Sequence, residues 1–474
     1  MALNSFLFLL LFLPVVAAGT YVLRDRVGGR SAQVWILLAS LAFYAWAGAT
    51  SFGLLLGSIT FNWALGAALC RADIAQASRK RLLILALTVD IAVLCVFKYA
   101  GAAGGLVGDI IGTHVTIRDL GFPLGLSFFT LTQVMYLVDC YEGLVPANGW
   151  VDHATFVSFF PNVTAGPLLR AKRFFAQLGN LAAAQGRDER VTQAATLIAL
   201  GLLKKVALGD SFSAVATAGY RSVEQLSTLE AWITTLAGTF EIYFDFSGYS
   251  DMAFGCAALL GLTLVRNFNS PYQSATISEF WKRWHISLSE FITTYLYTPI
   301  LRSMGRPTLH KSALATLVAM LIAGIWHGAS WNFVLFGVMH GTALAGFQYW
   351  KRRKRPLPRA VAVVLTFAFV NLAFITVRAP SVKTALRMAW NLLPHGNHIG
   401  METLHAAIAT SDLRMMAIPL VVGCIAAFAG PNAEQLATRR RPSILSDTMI
   451  ITMLLVAYVF MDSRTVTEFR YRQF

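Results

Sequence analysis

Charge is scarce in this chain. Asp, Glu, Lys and Arg together make up 13% of it, against roughly 25% in soluble domains. Acid is scarcer than base: 24 acidic residues face 39 basic ones, a net charge of +15. The five cysteines, Cys70, Cys95, Cys140, Cys256 and Cys424, show no CxxC spacing and sit in or beside apolar segments. That excludes a disulfide framework and a zinc site and leaves them as small buried hydrophobes. A phosphate loop, a dinucleotide fingerprint, an internal repeat and a low-complexity tract are all missing. So is any polar linker long enough to divide the chain, which predicts one integral domain over residues 1–474.

What is present is apolar and comes in blocks. Hydrophobic residues make up 56% of the chain, and the mean hydropathy is +0.59. Runs at 3–23, 32–50, 52–70, 82–99, 122–140, 192–217, 229–262, 313–346, 358–378, 414–430 and 447–462 are long enough to read as membrane segments. They predict an all-α polytopic membrane protein with about 11 spans. The basic residues fall in short loops between these runs, where the positive-inside rule and anionic lipid account for them without nucleic acid. The first run has no positive charge before it and Arg24, Arg26 and Arg30 after it, so it reads as a retained helix with an outside N-terminus. Those arginines and the cluster Arg71, Arg79, Lys80 and Arg81 are separated by two spans and fall on one side, taken as cytoplasmic.

Some segments resist a simple span. The run 229–262 holds Glu241, Asp245, Asp251 and Gly248 and reads as a broken or bent helix. Pro161, Gly166 and Pro167 exclude 159–170 from any regular span, and 100–112 is short enough to be re-entrant. Over 277–297, Phe280, Trp281, Trp284, Leu288, Phe291 and Tyr295 share about a 100° arc, opposite Lys282, Arg283, Ser287 and Glu290. That predicts an amphipathic interfacial helix with His285 at the edge of its apolar face.

An ionisable side chain inside an apolar run marks a functional site by default. His327 is such a residue, set in Trp-His-Gly within LIAGIWHGASWNFVLFGVMHG. A neutral imidazole there can take a proton from a hydroxyl, which can then attack a thioester. The plain alternative is a helix-packing histidine bonded to a carbonyl. His340 lies about 220° around and 20 Å along a continuous helix from His327, which favours a structural or entrance role. His285 is the expected partner, orienting or polarising a donor; its plain alternative is an interfacial histidine bonded to lipid or water. Glu241 and Asp245 share a helical face and need cations, for which Lys204, Lys205, Lys282 and Arg283 are candidates. Trp326, Ser330 and Asn332 are uncharged donors available to a developing oxyanion. The basic run Lys351–Arg355 reads as a cytoplasmic flank. His114, His153, His310, His395, His398 and His405 fall in loops or at their edges. His395 and His398 are three apart without carboxylate or cysteine nearby, so no metal site is expected.

Seven segments, in this order, resemble the membrane-bound O-acyltransferase family, most closely its bacterial alginate O-acetylation branch and more distantly its teichoic-acid D-alanylation branch. They are VFKYA at 96–100, FPLGLSFFTLTQVMYLVDCY at 122–141, FPNVTAGPLLR at 160–170, GLLKKVALGD at 201–210, YFDFSGYSDMAFG at 243–255, ISEFWKRWHISLSEF at 277–291 and GIWHGASWNFVLFGVMHG at 324–341. The resemblance covers roughly residues 1–380, with a motif-bearing core at about 95–345. It implies a helical body around a central funnel, with His327 deep inside and His285 near the cytoplasmic mouth. Trp326, Asn332, Asp245, Lys282 and Arg283 are the further substrate-binding candidates. The implied reaction moves an acetyl group from acetyl-CoA, with no bound cofactor or metal. Its destination is an exported polysaccharide such as alginate, reached through periplasmic acetyltransferase partners at a bacterial inner membrane. Peptidoglycan, teichoic acid or another glycan is the alternative acceptor, and a transporter or flippase is the rival from another class. The sequence departs from the family pattern after His285: ITTYLYTPILRSMGR lacks the Arg-Asp pair of its relatives, and Asn162 stands where the alginate branch tends to have histidine.

Overall fold

In the computed structural model, residues 1–111, 121–181, 187–354, 356–394, 400–407 and 410–463 are described, and among them helices are the only regular elements. His114, Arg355, His395 and His398 lie outside the described residues. Seven described helical stretches are long and apolar enough to cross a membrane: Phe8–Arg26, Ala49–Leu69, Gln76–Gly105, Arg187–Arg221, Leu309–His327, Arg359–Arg378 and Ile444–Asp462.

The chain divides into two compact units. The first holds residues 1–198, 251–265 and 437–448. Its helices include α1 (Leu13–Arg26), α2 (Gly29–Ala45), α3 (Ala49–Leu69), α4 (Gln76–Ile111), α5 (Leu126–Tyr141), α6 (Trp150–Ser158) and α7 (Ala171–Gly179). α4 runs without a break through residues 100–111, so the expected re-entrant piece is the end of a long helix. The stretch 159–170 is irregular and almost wholly buried, as Pro161 and Pro167 require. The protein satisfies its backbone: Phe160 N donates to Ser40 Oγ at 3.2 Å and Gly166 N to Asn162 O at 2.9 Å. His153 is no loop residue; it is fully buried on α6, with its ring 4.3 Å from that of Tyr136.

The second unit holds residues 199–250, 266–436 and 449–474. The helix α8 (Arg187–Leu203) leads through a π-helical turn, Lys204–Gly209, into α9 (Asp210–Arg221). The next helix, α10 (Thr228–Leu259), is continuous through Gly248, contrary to the expected break. That glycine serves packing instead: a Cβ on it would lie 2.7 Å from Gly201 O. The expected interfacial helix is not one element either. It divides into α11 (Ile277–Trp281), a turn at 282–285, α12 (Ile286–Phe291) and a π-helical turn, Ile292–Tyr297, followed by α13 (Thr298–Ser303). The run 313–346 is likewise a hairpin of two helices, α14 (Leu309–His327) and α15 (Trp331–Arg352). They touch where both are bare, since a Cβ on Gly324 would meet Phe333 O at 2.4 Å and Gly337 Cα at 2.9 Å. Beyond them run α16 (Arg359–Arg378) and α17 (Val382–Asn391).

The buried carboxylates of α10 find their cations. Lys205 Nζ lies 2.6 Å from Asp245 Oδ1 and 2.9 Å from Asp210 Oδ1, all three side chains nearly or wholly buried. Glu241 takes a cation that the sequence reading did not propose: Arg378 Nε sits 2.8 Å from its Oε2, and Arg378 Nη2 donates to Thr217 Oγ1 at 2.6 Å. Removing one member of such a pair leaves an uncompensated charge in a medium that solvates it poorly. Arg378→Met should therefore lower stability by about 3–5 kcal/mol. Adding Glu241→Gln to it should restore most of the loss. Denaturant or thermal unfolding of the two variants in detergent checks both outcomes.

Candidate active site

His285 is set by the backbone around it. The extended stretch before α11 pairs with the 282–285 turn: Asn269 N donates to Arg283 O and Ile286 N to Asn267 O, both at 2.9 Å. Clamped on both sides, His285 takes a left-handed conformation, φ 41°, ψ 56°, as the residue preceding α12. A non-glycine residue there carries strain, which the paired backbone and the packed ring offset. Phe246 meets the imidazole edge-on with centroids 4.7 Å apart, and the side chain is fully buried.

Asn267 fixes the tautomer. Its Oδ1 lies 3.0 Å from His285 Nδ1 and also accepts from Ser287 Oγ at 3.0 Å, while its Nδ2 donates to Ser250 Oγ at 3.2 Å. An amide oxygen only accepts, so Nδ1 carries the proton and Nε2 the lone pair. Burial pushes the His285 pKa well below the ordinary histidine range, and His327 pushes it the same way.

His327 is the last residue of α14, next to extended backbone at Gly328. Terminal carbonyls at a helix C-terminus favour positive charge as it develops. Gly328 is required by a close approach: a Cβ on it would lie 2.3 Å from the Phe333 ring. That ring stacks on His327 at 6.2 Å, with Trp326 edge-on at 4.8 Å and Phe336 at 5.9 Å.

The two histidines, 42 positions apart, line one cavity of about 20 Å³, closed by Ile242, Trp281, Trp284, Leu288, Phe333, Phe336, Phe374 and Val377. The space suits one water-sized group. Its walls are apolar, so the two imidazoles supply its chemistry. A second cavity of about 240 Å³ shares Trp281 and is lined further by Lys282, Ser289, Tyr297 and Gln348.

The other candidates separate. Trp326 touches His327 but is not among the cavity's lining residues. Asn332 is buried and donates to Ala379 O at 2.7 Å, so this donor ties helices rather than facing the cavity. Asp245 is engaged by Lys205, away from the lining. Lys282 lines the second cavity, while Arg283 pairs with Glu279 at 2.8 Å; neither pairs with Glu241 or Asp245. His340 is nearer the site than a continuous helix allows, because the chain turns back at 328–330. Its Nδ1 accepts from Trp281 Nε1 at 3.2 Å, so it fixes a cavity wall. Sequence reasoning missed Asn267 and Trp281 as partners. The one available signal was a run of polar residues, RNFNS at 266–270, just ahead of the histidine motif.

Comparison with known proteins gives the family. The profile of the membrane-bound O-acyltransferase family matches residues 148–378, which include both histidines. The peptidoglycan O-acetyltransferase of Helicobacter pylori is 30% identical over 99% of this chain and 97% of its own. The probable alginate O-acetylase AlgI of Azotobacter vinelandii is 33% identical over 89% of this chain and 84% of its own. The protein of that name from Pseudomonas aeruginosa is 35% identical over 82% and 74%. The chain therefore belongs to the membrane-bound O-acyltransferase family and is a multi-pass membrane O-acyltransferase.

Proposed function

We propose that this enzyme moves an acetyl group from acetyl-CoA, entering from the cytoplasmic side of a bacterial inner membrane, to a glycan outside. The observation that carries the reading is the shared cavity of His285 and His327. His327 acts as general base: it takes the proton of the acceptor hydroxyl as that oxygen attacks the thioester carbonyl. When the carbon–sulfur bond breaks, the imidazolium returns the proton to the departing thiolate, leaving an acetyl ester and free coenzyme A. His285 does not polarise the carbonyl, because its proton is committed to Asn267. It acts as an acceptor that orients the hydroxyl or the ring of His327. Lys282 and Trp281 line the approach for the donor.

Two acceptors stand out. An exported polysaccharide of the alginate type, reached with periplasmic acetyltransferase partners, is supported by likeness to the alginate O-acetylases. Peptidoglycan is supported by a match running nearly the full length of both chains. The transporter reading is opposed by membership of an acyltransferase family, and α10, one of the helices expected to be broken or bent, is unbroken.

Purified protein in liposomes, supplied with radiolabelled acetyl-CoA, tests the mechanism. His327→Ala should lower thioester cleavage by about 10²- to 10⁴-fold, and His285→Ala should lower it as well. Unchanged turnover in His327→Ala would sink the mechanism. Asn267→Leu should lower kcat, whereas Asn267→Asp, which keeps the acceptor oxygen, should retain most of it. Label recovered in purified muropeptides or in a uronate polymer, when each is offered in turn with periplasmic extract, decides between acceptors.

A further inference from the structure

A groove of about 740 Å³ runs along α15 and α16; it shares no residue with the histidine cavity and meets the second cavity only at Phe347. On α15 its wall is Ala343, Gly346, Phe347 and Trp350; on α16 it is Ala362, Leu365, Thr366 and Phe369. Both sets follow the spacing i, i+3, i+4, i+7, so each is one helical stripe. Small residues alternate with large ones, which keeps the groove open: a Cβ on Gly346 would meet nothing within 4 Å. One end carries Lys351, Lys354 and Arg359, all exposed. The lining holds no carboxylate, and none of these three cations makes an ion pair with a described residue.

Lys354 has an unusual backbone for its residue type. It stands just past the end of α15 with φ 51°, the position where a helix most often stops on glycine. Glycine would adopt that conformation without strain; lysine adds a cation at the mouth of the groove. Trp350, 43% exposed, stands beside it, as an aromatic ring does at the level of lipid headgroups. Arg359 opens α16, which is long and apolar enough to cross a membrane. The stripe on α16 thus belongs to a helix apolar enough to cross a membrane, and the three cations stand at the end where α16 begins.

We propose that this groove holds one anionic phospholipid, with its phosphate among Lys351, Lys354 and Arg359 and an acyl chain along Phe347, Leu365 and Phe369. A second copy of the chain would bring its own net positive charge to the same end, and an acidic peptide has no use for the apolar stripes.

The test is native mass spectrometry of the full-length protein in detergent, titrated with phosphatidylglycerol or with phosphatidylcholine of the same chains. One phosphatidylglycerol should bind about 100-fold more tightly than phosphatidylcholine, each cation contributing about fivefold. Lys351→Gln, Lys354→Gln and Arg359→Gln combined should bring the two lipids level. Gly346→Trp, which fills open space, should weaken both while leaving the unfolding temperature unchanged. Equal binding of the two lipids by the unaltered protein would overturn the proposal, as would a triple variant that keeps its preference. Concentration-dependent dimers that the Gly346→Trp change abolishes, with no lipid preference, would assign the groove to a second copy instead.

Discussion

A polar group buried among apolar side chains must find its partner within the protein, because no water is there to serve it. Much of the second unit follows from that requirement. Lys205 is held by two carboxylates, Glu241 by an arginine from another helix, and His285 by an amide oxygen that also serves Ser287. The pairs Lys205–Asp245 and Arg378–Glu241 join helices 40 and 137 positions apart, and the Asn267–His285 contact folds a turn back onto the stretch before it. A buried ion pair contributes little net stability, but it admits few alternative placements of the helices that carry it. The polar network thereby fixes the geometry that apolar packing alone leaves adjustable.

Both site histidines stand at breaks in helices rather than within them. His327 closes α14, and His285 occupies the turn before α12 in a conformation most residues avoid. Helix interiors have no spare hydrogen-bonding capacity in their backbone, whereas ends and turns do. A site made of two such ends can bring imidazoles together from segments 42 positions apart while the helices behind them keep the rings still.

Much of this was legible in the chain itself. The Trp-His-Gly motif stands out because an imidazole in an apolar run needs a reason, and Pro161 and Pro167 announce irregular backbone without further help. The hairpin at 328–330 was hidden because hydrophobicity continues on both sides of a three-residue Gly-Ala-Ser turn, so the run 313–346 reads as one segment despite its turn residues. α10 misled in the opposite sense: Gly248 and the acids look like a break, yet they are there for a close helix approach and for cations elsewhere. Arg378 as the partner of Glu241 lies 137 positions away, and no periodicity reaches that far. Asn267 is a single residue in a loop, and its task is set by where the 282–285 turn folds back.

The π-helical turn Lys204–Gly209 makes length matter more than composition at this point of the chain. Such a turn contains one residue more than the α-helix it interrupts. Deleting any one residue would give α8 and α9 a regular, locally more favourable helix. It would also rotate everything on one side by about 100° relative to the other, so that α8 and α9 could no longer both keep the faces they now turn to α10 around Lys205 and Asp245. Homologous chains should therefore share the count of residues between the two helices even where the half-buried Leu208 is replaced. An insertion or deletion here is a change of wiring that no conservative replacement imitates.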